Sequence, residues 1–214
     1  MAADRAMAVD RAMAVDRPRA VDRPRAVDRV KPRQMERREL AEVDVVLTET
    51  EQSVALDRET AALCERAARE TLLLEGRRLV RMTGRGIDPP PIEVSLTLLD
   101  DPGITALNHR YLGRSEATDV LAFPMDSAPA AAGEAPATGS SEPFLLGDIV
   151  VSVETAASQA AEHGRPLPEE LARLIAHGTL HLLGYTDESL EAAAGMHAKE
   201  DAVLVALGFS PRVP

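Results

Sequence analysis

Aromatic residues are nearly missing from this sequence: two Tyr, three Phe and no Trp among 214 residues. A core built from it must rest on Leu, Val, Ile and Ala. There is one cysteine, Cys64, which excludes a disulfide framework and a cysteine-cluster zinc site. Cys64 falls within a helical pattern and reads as a small buried apolar residue. No run approaches the ~20 apolar residues needed to cross a bilayer. The first residues carry charges every few positions and have no apolar stretch, unlike a secretory signal. These absences point to a cytoplasmic protein without a membrane partner.

What is present is the composition of an ordinary globular protein, 45% hydrophobic and 28% charged. The net charge of −11 is unevenly spread. Residues 1–40 hold 11 basic and 7 acidic side chains, and the rest hold 13 and 28. An acidic domain does not grip naked nucleic acid through its net charge, so any RNA contact needs a local patch or a partner.

The N-terminus repeats with a six-residue period: Asp4-Arg5, Asp10-Arg11, Asp16-Arg17, Asp22-Arg23 and Asp28-Arg29. Six matches neither helical nor strand periodicity, and Pro18 and Pro24 interrupt any helix. A polar hexamer is also too small to bury a face against its neighbour. Residues 1–41 therefore read as a disordered hexad-repeat extension, and 42–214 as the folded domain. A basic RNA-binding arm is the alternative for the extension, and its regular Asp partners weigh against it.

Within the domain, Val43–Thr48 and Ile92–Leu99 read as strands, and 57–75 as a helix with Leu56, Ala61, Leu63, Ala67, Thr71 and Leu74 at helical spacing. Residues 103–112 form a short helix, Val120–Phe123 a strand stopped by Pro124, and 126–143 a flexible Ala/Pro/Gly/Ser loop. A strand over Gly147–Val153 runs into a helix from Glu154 to about His163. A further helix opens at Pro166 with Glu169 and Glu170 in its first turn and ends at Gly184. A last helix spans about 188–207 with Gly208 as its cap. Strands and helices without strict alternation make the fold class α+β, a small mixed sheet with packed helices.

The chemistry is concentrated in the helix that ends at Gly184. His177 and His181 are four apart, so both imidazoles leave one helix face and can share an ion. Leu174, Ile175, Leu180, Leu182 and Leu183 give them an apolar surround. Gly184 can take positive φ and turn the chain back, bringing Asp187 towards the ion in the pattern H-x-x-x-H-x-x-G-x-x-D. A single buried helical His is usually a satisfied core residue. The pair, with a glycine turn and a carboxylate at reach, favours metal. Two imidazoles and a carboxylate leave a fourth tetrahedral position for water, the arrangement of a catalytic zinc, which lowers the pKa of that water to ~7. Zinc peptidases of the H-E-x-x-H type place a Glu after the first His; here Gly178 stands there, and a peptidase loses its proton acceptor.

The segment His177-Gly178-Thr179-Leu180-His181-Leu182-Leu183-Gly184-Tyr185-Thr186-Asp187 resembles the YbeY family signature H-G-x-L-H-L-x-G-Y-D-H. Leu107-Asn108, Tyr111, Gly113 and the run Thr118–Pro124 are similar to the family's L-N-x-x-Y-R and P-T-D-V-L-S-F-P blocks. Leu146–Ile149 is similar to its L-G-D-I, and Met196, Glu200 and Leu207-Gly208 match its last helix. The resemblance spans about 43–210. It implies one zinc ion held by three side chains and single-strand-specific endoribonuclease activity in rRNA maturation, including the 3′ end of 16S rRNA, and in ribosome quality control. It also implies rRNA and the 30S subunit or its proteins as partners, rather than DNA.

Against the family pattern, the third His is Asp187, the Asp of Y-D-H is Thr186, the Arg after Tyr is Leu112, and the Ser is Ala122. Asp187 keeps a zinc ligand in place. Leu112 removes a cation that could stabilise charge on a phosphate, for which Arg110 and Arg114 are substitutes. Arg66, Arg69, Arg77, Arg78, Arg81 and Arg85 form either a local RNA-facing patch or a solvated face. Asp119 and Asp148 are possible acceptors for a ligand imidazole, with a turn or cap role the simpler reading. His109 and His163 read as surface residues, and His197 as a minor rival for the third ligand. Two other functions stay open: a zinc peptidase-like hydrolase, and a non-catalytic ribosome-associated assembly factor with a structural zinc.

Overall fold

The computed structural model describes residues 43–48, 55–76, 78, 91–125 and 143–210. The hexad extension, and the 126–143 loop except Pro143, lie outside them. The elements run β1 (Val43–Thr48), α1 (Arg58–Leu74), β2 (Ile92–Leu99), α2 (Asp101–Leu112), β3 (Val120–Pro124), β4 (Phe144–Ser152), α3 (Val153–Glu162), α4 (Leu167–Leu182) and α5 (Leu190–Ala206). The strands form one mixed sheet in the order β1-β2-β4-β3. The first three of these are parallel, and β3 lies antiparallel to β4 at the edge. The α+β reading holds.

Alternation along the strands divides the core between the two faces of the sheet. Ile92, Val94, Leu96 and Leu98 point one way and pack with Cys64, Ala67 and Leu72 of α1, Leu171, Leu174 and Ile175 of α4, and Leu204 of α5. Leu99, Leu121 and Val150 join a smaller cluster with Ile104 of α2, flanked by Leu107 and Phe123. Cys64 is fully buried, and burial pushes its thiol up to about 12, so it is an inert packing residue. Leu74, placed by spacing on the apolar stripe of α1, is instead exposed at its last turn.

One irregularity fixes how β3 meets the sheet. Glu93 faces Leu145 while Val94 faces Gly147, so Leu146 is an extra residue in β4. Gly147 has φ 148°, and a Cβ there would stand 2.4 Å from the Phe123 carbonyl oxygen and 2.9 Å from Leu182 Cδ2. Gly147→Ala is expected to cost about 2–4 kcal/mol through strain and overpacking, or roughly 5–15 °C in melting temperature for a domain of this size. Gly113 also has positive φ, but a Cβ there would meet nothing within 4 Å. Gly113→Asn is the matched control, expected to melt close to wild type. Equal melting of both variants would remove the bulge from this account.

Candidate metal centre

Helix α4 forms where its first turn suits it: Pro166 occupies the cap, Pro168 sits within the first turn, and Glu169 and Glu170 face the positive end of the dipole. It stops at Gly184, whose φ of 77° lets the Tyr185 N–H donate back to the Leu180 carbonyl at 3.0 Å. The face beside the histidines lies directly on the sheet. A Cβ on Gly178 would come within 2.9 Å of Ile149 Cγ2 and 3.1 Å of Val120 Cγ2. The missing side chain, where zinc peptidases carry a general base, is thus a condition of seating α4 on β3 and β4.

The turn brings His177, His181 and Asp187 together. One ligand atom from each lies within 4.8 Å of the others, forming a group that could hold a metal ion. The imidazoles are partly buried and Asp187 is exposed. The rings meet edge to face at 79°, with Nε2 to Nε2 at 2.9 Å. His177 Nδ1 lies 2.8 Å from Glu200 Oε1, and His181 Nδ1 lies 3.0 Å from the Tyr185 carbonyl oxygen. Each Nδ1 faces an acceptor and therefore carries the proton. Both Nε2 atoms then present lone pairs to one another, and two acceptors at that separation are stable only with a positive charge between or beside them. The donor set thus fits a cation that takes imidazole and carboxylate.

Two structures hold these rings in place. Glu200 on α5 is 2% exposed, and its second oxygen lies 3.6 Å from Arg173. Arg173 also pairs with the fully buried Glu170, which Arg165 reaches at 3.1 Å. Burial pushes the Glu200 carboxyl up, but the His177 hydrogen bond and the Arg173 charge outweigh it and hold it below the usual glutamate range. Arg173 is raised: burial acts downward, and its Glu170 and Glu200 partners more than compensate. On the other side, Arg78 donates to the carbonyls of Leu183 and Gly184 and lies 4.1 Å over the Tyr185 ring. The Tyr185 hydroxyl donates to Glu75 at 2.6 Å, and Glu75 also pairs with Lys199. The turn that offers its carbonyl to His181 is clamped from α1 and α5.

These contacts redistribute several residues weighed from the sequence. Arg78, grouped with RNA-facing arginines, is used on the turn. Arg66 and Arg69 are exposed on α1, while Arg77, Arg81 and Arg85 lie outside the described residues. Asp119 accepts from Val120 N–H and from Gln159, and Asp148 on β4 lies across from Phe123, so neither serves an imidazole. His197 is exposed on α5 and is not part of the three-residue group. His109 and His163 are surface residues. Arg110 and Arg114 stand exposed at and just beyond the C-terminal end of α2, with no ion pair among the described residues. Glu200 and the Tyr185 carbonyl were not foreseen as ring partners. Glu200 could have been noticed as the one carboxylate in the buried stripe Met196, Glu200, Val203, Leu204.

The class defined here is a mixed α+β domain whose central helix and following turn gather two imidazoles and a carboxylate into a group that could hold a metal ion. The sequence model described as Endoribonuclease YbeY matches residues 77–208. This chain belongs to the endoribonuclease YbeY family. A relative of that name from Pelotomaculum thermopropionicum is 38% identical over 166 residues, covering 78% of this chain and 98% of its own length. Another from Moorella thermoacetica is 46% identical over 125 residues, covering 55% and 74%. A weaker likeness is to the solution structure of TM1509 from Thermotoga maritima, with TM-score 0.45 and 20% identity over 77% of this chain and 88% of that one. Among the described residues, no helix is long and apolar enough to cross a membrane.

Proposed function

We infer that this chain is a zinc-dependent endoribonuclease, cutting single-stranded rRNA during maturation of the 16S 3′ end and ribosome quality control in the cytoplasm, with the 30S subunit or its proteins as partners. Family membership supports the reaction class. The observation that carries the metal dependence is the convergence of the two Nε2 atoms, 2.9 Å apart, with each Nδ1 facing an acceptor on the far side of its ring. His177, His181 and Asp187 would hold the ion. When bound, zinc supplies an acidified water and Lewis acidity toward a phosphate oxygen. The chain's own contribution is positional: Glu200 and the Tyr185 carbonyl set both tautomers, and the apolar helix face limits water around the site. The peptidase alternative loses ground further, because a Glu at position 178 would collide with Ile149 and Val120.

Leu112, where the family carries Arg, is exposed and favours a second reading, an assembly factor whose zinc is structural. One experiment separates the two. Zinc-loaded protein is expected to cut a single-stranded RNA from the 16S 3′ region and leave its duplex intact. Dialysis against chelator should abolish cutting, and zinc should restore it. The His177→Ala, His181→Ala double variant must be inactive, which guards against contaminating ribonuclease. Stable association with 30S particles without zinc-dependent cutting would establish the structural reading instead.

A further inference from the structure

We propose that the end of α2 is a stacking platform for a base of single-stranded RNA, with Tyr111 as the platform and Arg110 and Arg114 as phosphate contacts. This rests on the endoribonuclease reading and adds where the substrate is held. Edge strand β3 packs Val120 and Ala122 on the α4 side of the sheet and carries Leu121 and Phe123 on the α2 side. Val120 contacts the Gly178 position, and the Phe123 carbonyl and Leu182 both crowd Gly147. Among the described residues only β4 pairs with β3.

Large apolar side chains near the ends of α2 and β3 are exposed. Tyr111 is 57% exposed, Leu112 53% and Met125 47%, in a chain with only five aromatic residues. The Tyr111 ring lies 5.1 Å from Phe123 at an angle of 57°, which supports it from one side. The Arg110 guanidinium stands 5.4 Å over the same ring. Arg110 and Arg114 have no ion pair among the described residues, within a domain otherwise rich in acid. An aromatic face with adjacent unpaired cations suits an unpaired base and its phosphates; a duplex keeps its bases stacked and has none to offer. A purely apolar partner would leave both guanidinium groups without a counterpart.

The test is binding of a short labelled single-stranded RNA to the full-length, zinc-loaded protein by fluorescence anisotropy, with cutting followed in parallel. Tyr111→Ala is expected to bind about tenfold more weakly, the loss of one base stack. Tyr111→Phe should bind as wild type. Tyr111→Leu keeps the contact with Phe123 and should match the Ala variant, which separates stacking from packing. Replacing Arg110 and Arg114 by Ala should reduce the salt slope by about 1.4, two phosphate contacts on a single strand. All variants should retain zinc. Wild-type affinity in both Tyr111→Ala and Tyr111→Leu, with cutting intact, would overturn the platform and leave the endoribonuclease reading standing. A wild-type protein that neither binds nor cuts single-stranded RNA would remove that reading and the platform with it.

Discussion

Glu200→Ala is expected to weaken zinc binding about ten- to a hundredfold and to destabilise the metal-free protein. The affinity loss follows from the His177 ring. Its Nδ1 lies 2.8 Å from the Glu200 carboxylate, which aims Nε2 at its neighbour and makes it a stronger donor to a metal. A carboxylate that holds the far nitrogen of a ligand imidazole is worth about 10–100-fold in metal affinity. The stability loss follows from the ion network. Removing one partner of a buried pair costs about 3–5 kcal/mol, because the remaining charge is stranded. Arg173 keeps Glu170 at 2.5 Å, so the lower end of that range applies. Glu200→Gln keeps an acceptor for His177 and loses only the charge opposite Arg173, so its effects should be smaller in both respects. Chelator competition and thermal melting of the metal-free variants measure the two effects separately. Unchanged zinc affinity in Glu200→Ala would show that His177 is oriented by packing alone.

How far the sequence anticipated this arrangement depends on how local each determinant is. β1 and β2 match their expected bounds because alternation is a short-range property, and α4 ends where Gly184 must turn. β4 begins at Phe144 rather than Gly147. Glycine looks like the edge of a strand in sequence, but here it is the residue that fits a bulge against the Phe123 carbonyl, a constraint only the neighbouring strand reveals. α2 begins at Asp101, ahead of the expected 103, because Asp100 caps the Gly103 N–H at 2.8 Å and Pro102 is tolerated in a first turn. At the site, the helical spacing and the glycine turn made His177, His181 and Asp187 legible. The Glu200 contact crosses 23 residues, and the Tyr185 contribution is a backbone carbonyl that no side chain announces.

Asp187→Ala is expected to weaken zinc binding by more than roughly a hundredfold, exceeding the cost of losing a residue that only orients a ligand, while His197→Ala leaves it nearly unchanged. The geometry distinguishes the two residues. Asp187 follows the Gly184 turn by three positions, and its carboxylate lies within 4.8 Å of ligand atoms on both histidines. His197 is exposed on α5 and outside that group; its charge acts on Glu200, whose carboxyl it helps to lower after His177 and Arg173. Asp187→His should keep the metal, since imidazole is an accepted ligand at such a site. Exchanging a carboxylate for a neutral ring leaves the centre more positive, so the acidic limb of the pH–rate profile should move to lower pH. Competitive chelator titration of the three purified variants measures affinity, and the pH profile of the Asp187→His protein measures charge. If Asp187→Ala holds zinc as tightly as wild type while His197→Ala releases it, the third ligand comes from α5 and the turn after Gly184 serves only to orient His181.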